Sequence, residues 1–595
     1  MASEETEVAA QSAAPTRPRT TGGSASRSGV ASGLRERFMR IRLLDLLPGL
    51  VLGVAVMALY TYYSLQQVKH WVTPSWDLAI FTQMAQAYSH FSAPIVPVKG
   101  PGFNLWGDHF HPILMLLGPI YGMFPSPTTL LVVQNALIAA ATSAIVFFTQ
   151  RAFTLARASR TGEEAEPSRF QRFVPTLTGL LLGAGFALSF GVQQAVAAQF
   201  HEVAFAVPLL TVSLGYLVLA SRVSGDERNR YLARACWWAL PIAFVKEDMG
   251  VTVAVIGVVA LIRSGWLGVA YDILLPRLSE GEPASFRVRL RSLYHSWART
   301  RAVAESSMVI AWGIFWSVVS IAVILPYFNS GGTFDYADKV NVAAAVGDPF
   351  GSLIQMMNNN TKMATLGLLL ITGAVLWVGS PLALVALPTI AWRLLSTMES
   401  YWASTWHYSL VLMPVVFCAL LDTVLRMRYG AIPAREPAEP AEVPDAPKEP
   451  SGRSRIRVRN LPVWVLPAVA LFLAASPIFV PGSTQPLASL ANSQFTDSAL
   501  TSSDQMKLKA VQQVPEGVTV ASDLSILTQL IPGRTVYWIG HTGEPAPEYV
   551  VIDRSNNSWG GNPPANVAQY AADRYGHSYA KHATVGTIDI VRRVD

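Results

Sequence analysis

LLPGLVLGVAVMALYTYY, residues Leu46–Tyr63, is apolar from end to end and carries no charge. A helix of about 18–20 such residues is long enough to cross the hydrocarbon core of a bilayer. Further apolar runs follow at Thr128–Thr149, Phe173–Ser189, Val203–Leu219, Ala233–Val245, Met249–Ile262, Ser307–Tyr327, Met363–Trp377, Leu382–Leu395, Ser409–Leu425 and Leu461–Val480. Of the 595 residues, 51% are hydrophobic and only 14% are charged, whereas soluble domains carry about 25% charged residues. The expected fold class is therefore mainly α: a polytopic membrane protein with about 11 transmembrane helices and a small C-terminal α/β domain outside the membrane.

Charge placement orients the chain. Arg151, Arg157, Arg160, Arg169, Arg172, Arg222, Arg228, Arg230 and Arg234 fall in alternate connections, and Arg426, Arg428, Arg453, Arg455, Arg457 and Arg459 flank the last of these. Basic residues collect on the cytoplasmic side, which puts the N-terminus in the cytoplasm and the C-terminal domain beyond the plasma membrane. Arg393 falls on the outer side, where its head can snorkel to the interface. Residues 1 to about 35 have almost no large apolar side chains, and 1–40 reads as a disordered cytoplasmic tail without a signal-peptide pattern. Residues 41–430 form the core, with an extracytoplasmic loop over 66–126. Residues 431–460 read as a Pro-, Ala- and Glu-rich cytoplasmic linker, and 461–480 as the last span. The basic stretch 264–304, with interleaved leucines, reads either as an anchor or as a segment lying on the anionic inner leaflet. The short pairs around Lys246 and around Gly379-Ser380-Pro381 are tilted, broken or re-entrant. Cys236 and Cys418 lie inside apolar runs and read as core residues. The net charge of +6 accompanies no nucleic-acid-binding module, so no nucleic-acid partner is expected.

Residues 481–595 change composition. Helices are expected over Ser503–Val514 and Asn566–Tyr575, and strands over Val518–Ala521, Thr535–Trp538, Tyr549–Ile552 and Gly586–Arg592. The loop Phe328–Asn360 reads as mobile. Within 66–126, amphipathic helices are expected over Leu78–Tyr88 and Pro112–Met123, lying near the outer interface.

Charge clusters at the outer ends of the spans carry the chemistry. They are Trp76-Asp77-Leu78-Ala79-Ile80-Phe81, Gly107-Asp108-His109-Phe110-His111-Pro112, His201-Glu202, Lys246-Glu247-Asp248 and His407-Tyr408. Charge at membrane depth is costly and usually functional. Asp77 or Asp108 can act as general base on an acceptor hydroxyl, or serve as a helix cap and a turn residue respectively. His109 and His111 alternate, so an extended backbone would put both on one face as ligands for a divalent metal such as Mg or Mn. Lys246 can neutralise a phosphate, with Glu247, Asp248, His201, Glu202, His407 and Tyr408 around the substrate. A snorkelling turn, an internal ion pair or an aromatic belt are the structural alternatives.

The stretches Trp76 to Gln83, Gly107 to Pro112, Phe200-His201-Glu202, Lys246-Glu247-Asp248 and His407-Tyr408, taken in order, resemble a bacterial family of multi-span membrane proteins defined only as domain of unknown function 2079. The likeness covers roughly 45–430 and, more loosely, 461–595; Trp76 replaces a common Phe and Thr82 a common acid. That family looks like a branch of the GT-C glycosyltransferase superfamily. The resemblance implies a GT-C-like fold and an inverting glycosyltransferase at the outer face. It further implies a polyprenyl-phosphate sugar as donor, an envelope glycan, lipid or protein as acceptor, and Asp77 first, then Asp108, as base. Gln83 falls among the implied substrate contacts. A transporter or lipid flippase and a non-catalytic envelope assembly protein are the competing expectations.

Overall fold

The computed structural model describes residues 43–72, 76–161, 169–275, 285–336, 338–340, 347–432, 461–556 and 562–595. The expected tail over 1–40 and nearly all of the expected linker over 431–460 lie outside these residues. The principal helices are α1 (Leu43–Lys69), α2 (Trp76–Ser89), α3 (Pro127–Thr161), α4 (Arg169–Leu188), α5 (Ala206–Ala220), α6 (Gly225–Ala239), α7 (Met249–Ser264), α8 (Arg301–Val319), α9 (Leu412–Tyr429) and α10 (Val465–Ala475). Among the described residues, 4 helices are long and apolar enough to cross a membrane: Asp45–Lys69, Pro127–Ala158, Glu202–Ala220 and Arg301–Phe328. Two bent pairs, Phe173–Leu188 with Phe190–Ala197 and Met249–Ser264 with Trp266–Leu274, raise the number to 6. The chain is thus a mainly helical, membrane-spanning protein. Most of the other expected runs are helical but short, as in Leu387–Leu395 and Val465–Ala475, whereas Ser409–Leu425 falls largely in the 18-residue α9.

Burial sorts the helices. The Glu202–Ala220 span is 78% buried, and every residue of α9 from Leu412 to Leu425 is buried. A helix apolar on all sides belongs in the centre. The spans Asp45–Lys69 and Arg301–Phe328 are only 28% buried and face outward. Residues α5, α7 and α9 all start at the end that carries the C-terminal domain and finish at the other end. Their carbonyl termini therefore gather at one place, where arginines collect as the helix dipole favours. There Asp422, 0% exposed, accepts from Arg263 Nη2 at 2.6 Å, Ser380 Oγ at 2.7 Å and Ser221 Oγ at 3.0 Å. Arg222 donates to Ser221 Oγ and the Gly430 carbonyl, each at 2.9 Å, and Arg426 to the Gly379 carbonyl at 2.9 Å. Helix Phe286–Arg299, in the basic stretch, leaves Phe286, Val288, Leu290 and Tyr294 exposed.

Helices α7 and α8 cross at two glycines. A Cβ on Gly250 would strike the Gly313 carbonyl and Ser317 Oγ, and one on Gly313 would strike the Gly250 carbonyl. Such close approach is what small residues provide between membrane helices. It lets Ser317 Oγ donate to the Glu247 carbonyl at 3.0 Å, just before a π-helical turn over Ser320–Ile324. Gly313→Leu is expected to lower stability by about 1–3 kcal/mol through overpacking, read as a fall in melting temperature in detergent. An unchanged melt would show that the crossing is not tight.

The C-terminal domain holds a five-stranded sheet of order β2-β1-β3-β5-β4. The strands are β1 (Thr519–Ser522), β2 (Thr535–Trp538), β3 (Tyr549–Asp553), β4 (Tyr579–Val585) and β5 (Ile588–Arg593). Strand β1 pairs in parallel with β2 and β3, and β5 pairs antiparallel with β3 and β4. Helices α11 (Ser502–Gln512) and α12 (Val567–Tyr575) match the expected pair. Strand β4 was not expected: Ala580, Lys581 and His582 are consecutively exposed, so no alternation marks it. The domain sits directly on the helical core. His70 Nδ1 lies 3.0 Å from Asp504 Oδ2, Lys69 Nζ donates to the Asp497 and Ser498 carbonyls at 2.7 Å, and Trp76 meets Trp538 edge-on at 4.8 Å.

Helix α2 differs from the expected surface helix. Leu78 to Ala85 and Tyr88 are all buried, because the domain covers the face that would have met the interface. Pro112–Met123 does keep an apolar outer face, with Met115, Leu116 and Met123 exposed.

Candidate functional site

The starts of α2, α5, α7 and α9 converge beneath the C-terminal domain, and helix starts favour anionic groups. Asp77 lies in the first turn of α2. Its Oδ2 is 3.3 Å from His201 Nε2, and its side chain is 43% exposed against 4% for His201. The His201 ring stacks on His407 with centroids 3.6 Å apart. Glu202, next in the chain, accepts from Lys246 Nζ at 2.8 Å. Glu247 accepts from His109 Nδ1 at 2.9 Å and from the Phe110 amide at 3.1 Å. Five of the expected clusters therefore form one connected group.

Asp108 occupies a separate flank. Its Oδ2 takes Lys99 Nζ at 2.5 Å and its Oδ1 the Tyr336 hydroxyl at 3.0 Å. Tyr336 in turn stacks on His109, with centroids 4.6 Å apart, and lies beneath Lys339 Nζ. Gly107 permits this: a Cβ there would strike the backbone of Phe328 and Asn329. Lys99 and Tyr336 were not anticipated. Tyr336 belongs to the loop read as mobile, yet its neighbour Lys339 accepts the Thr397 amide at 3.1 Å through its carbonyl.

Burial and charge pull against each other throughout. Burial would lift the Asp108 carboxyl, but His109 and Lys99 hold it down to about 2. Burial also opposes a charged Lys246, yet Glu202 and Glu247 keep it well above the ordinary lysine range. Asp248 is half-buried, its buried Oδ1 lacking a hydrogen-bond partner among the described residues, and desolvation pushes its carboxyl up to about 6, Lys246 opposing. Asp77 stays below its ordinary value because His201 outweighs burial. His407 is held well below its ordinary value by burial and by His201, so it is neutral near pH 7.

Two expectations need correction. Gln83 does not join the cluster: its Nε2 donates to the Val536 carbonyl at 2.7 Å and its Oε1 accepts the Val98 amide at 2.9 Å. It clasps α2 to β2, since the buried helix brings Gln83 under the domain. Arg393 does not snorkel. It is 3% exposed and donates to the carbonyls of Tyr401, Ala403 and Tyr408 and to Ser409 Oγ. It therefore orders the segment that delivers His407 and Tyr408, whose rings lie 4.1 Å apart.

Residues 69–580 match the family described as Predicted membrane protein (DUF2079). The chain belongs to the DUF2079 family. Every cluster of the site lies within the matched residues. No curated protein matches this DUF2079 chain.

The expected metal ligands of this DUF2079 protein, His109 and His111, have different surroundings. Among the described residues, no group of three or more His, Cys, Asp or Glu side chains is disposed to hold one. His109 serves Glu247, while His111 lies against Phe81 at 6.2 Å, 1% exposed. Both His111 ring nitrogens lack a hydrogen-bond partner among the described residues. Burial drives the His111 pKa down to about 4, against about 6.5 when unfolded. Between these values the unfolded chain binds more protons, so stability rises with pH across pH 4 to 6.5. Folding stability is expected to fall by about 3 kcal/mol from this residue as pH drops through that window. His111→Phe is expected to flatten that part of a pH series of thermal melts, and an identical slope in both proteins would contradict it.

Proposed function

We propose that this DUF2079 protein is a GT-C-type inverting glycosyltransferase of the plasma membrane, with the C-terminal domain and the charged cluster at the extracytoplasmic face. The donor is a polyprenyl-phosphate sugar and the acceptor a hydroxyl of an envelope glycan, lipid or protein. The observation that carries the reading is Asp77: a carboxylate with a 43% exposed side chain, held in its charged form in the same cluster as the half-buried Lys246. The acceptor O–H gives its proton to Asp77, its oxygen bonds to the anomeric carbon with inversion, and the bond from that carbon to the phosphate oxygen breaks. The phosphate leaves with the electron pair and meets Lys246, which exchanges Glu202 for it. Four helix starts around the cluster add to its tolerance of the phosphate. His201, Glu202, His407 and Tyr408 orient Asp77 and Lys246, while Glu247 and Asp248 shape the turn. No step is routed through a metal.

A carrier that moves a lipid or a proton is the second reading. Bends of 42° and 73° within the paired helices favour it, since broken helices line transport sites. Purified protein in nanodiscs, given a polyprenyl-phosphate sugar and a membrane-extract acceptor, separates the two. The transferase releases polyprenyl phosphate and forms a new, inverted glycosidic bond. Translocation of intact donor without bond formation would overturn it.

A further inference from the structure

A cavity of about 220 Å³ lies at the seam between the helical core and the C-terminal domain. This is the size class of a single sugar ring, below the roughly 300 Å³ where drug-sized pockets begin. On the domain side it opens at the carboxyl ends of the parallel strands β1 and β3, through Ser525, Asp553 and Asn556. That is where open α/β sheets bind ligands. On the core side it is lined by Trp71, Leu78 and Gln199.

Two of the core residues are held in a conformation that side chains rarely adopt. Trp71 has φ 50° and Gln199 φ 70°, and such strain in non-glycine residues clusters at functional sites. Gln199 is 2% exposed, and its Oε1 has no hydrogen-bond partner among the described residues. A buried acceptor left so calls for a donor from a ligand. Its backbone carbonyl is engaged elsewhere, accepting from Gln134 Nε2 at 3.0 Å. Lining charge is balanced: Lys507, which lies over the Trp71 ring at 5.6 Å, and Asp553 both line the cavity. Amides and hydroxyls make up most of the remainder. Balanced charge argues against an anion, and many short polar groups beside one indole suit a ring that carries hydroxyls on its edge and C–H groups on its face.

We infer that this seam cavity binds a neutral saccharide unit. Leu78 adjoins Asp77 and Gln199 stands two residues before His201, so the sugar would lie directly behind the proposed base. Its use as an acceptor subsite rests on the transferase reading; the binding of sugar does not. The test is saturation-transfer NMR on the full chain in nanodiscs, with the methyl glycosides of mannose, galactose, glucose and arabinose as probes and inorganic phosphate as competitor. At least one glycoside is expected to take up saturation, without displacement by phosphate. Ser503→Trp, which fills the cavity from its exposed rim, and Gln199→Met are each expected to weaken it tenfold or more. Asp77→Asn is expected to bind as the parent does. Binding without any transfer reaction would fail the transferase reading and leave this site standing. No saturation of the four glycosides, displacement by phosphate, or full binding in both cavity variants would overturn the inference. Loss confined to Asp77→Asn would also overturn it, by moving the sugar to the carboxylate.

Discussion

Asp422→Ala is expected to destabilise the protein by about 3–5 kcal/mol, the cost of stripping the partner from buried charge. Asp422 is 0% exposed and takes the Arg263 guanidinium at 2.6 Å. Arg263 Nε has no hydrogen-bond partner among the described residues. Without the carboxylate, the guanidinium groups of Arg222 and Arg263 would face each other at the meeting point of three helix ends. Asp422→Asn keeps acceptor capacity for Ser221 and Ser380 but loses the charge, and is expected to fall between the two. Scanning fluorimetry in nanodiscs reads the order wild type, Asn, Ala. A variant Asp422→Ala that melts with the wild type would mean that the arginines cap helix carbonyls well enough alone.

The second large effect separates the two acids that the sequence left as rivals. Asp77→Asn is expected to reduce transfer by about 10²–10⁴-fold, the usual contribution of a general base, with little change in melting. Its carboxylate is 43% exposed and has one close partner, His201 at 3.3 Å. Asp108→Asn is expected to do the reverse. Both its oxygens are engaged, by Lys99 and Tyr336, so its loss costs about 1–3 kcal/mol of stability through unpaired buried groups and affects turnover less. Equal activity loss in both variants, with equal melts, would remove the distinction.

Local features were legible and their meeting was not. Leu46–Tyr63 reads as a span because an uncharged apolar run states its own environment. The helix and strand limits at Ser502, Thr535 and Val567 came close because capping residues and β-branched runs act over short distances. The approach of Asp77 to His201, or of His109 to Glu247, depends on helix crossings such as Gly250 on Gly313, which no local pattern encodes. Arg393 looked like a snorkelling residue because hydropathy sees only its nearness to a span end, not the carbonyls of Tyr401 and Ala403 waiting for it. Gln83 counted as a substrate contact because it closes the family-like stretch Trp76 to Gln83; six residues along the helix turn it about 240° from Asp77, under the docked β2. Tyr336 was hidden in a polar loop. The eleven expected crossings counted apolar runs, whereas several of these are too short or too bent for length and composition alone to mark them as spans.

The most direct test is a density map of the protein in nanodiscs with a polyprenyl phosphate added. The expected result is a phosphate within hydrogen-bond reach of Lys246 Nζ, on the side facing Asp77, with the Lys246–Glu202 contact of 2.8 Å opened. A lipid phosphate seated elsewhere, with Lys246 still on Glu202, would contradict the proposed site.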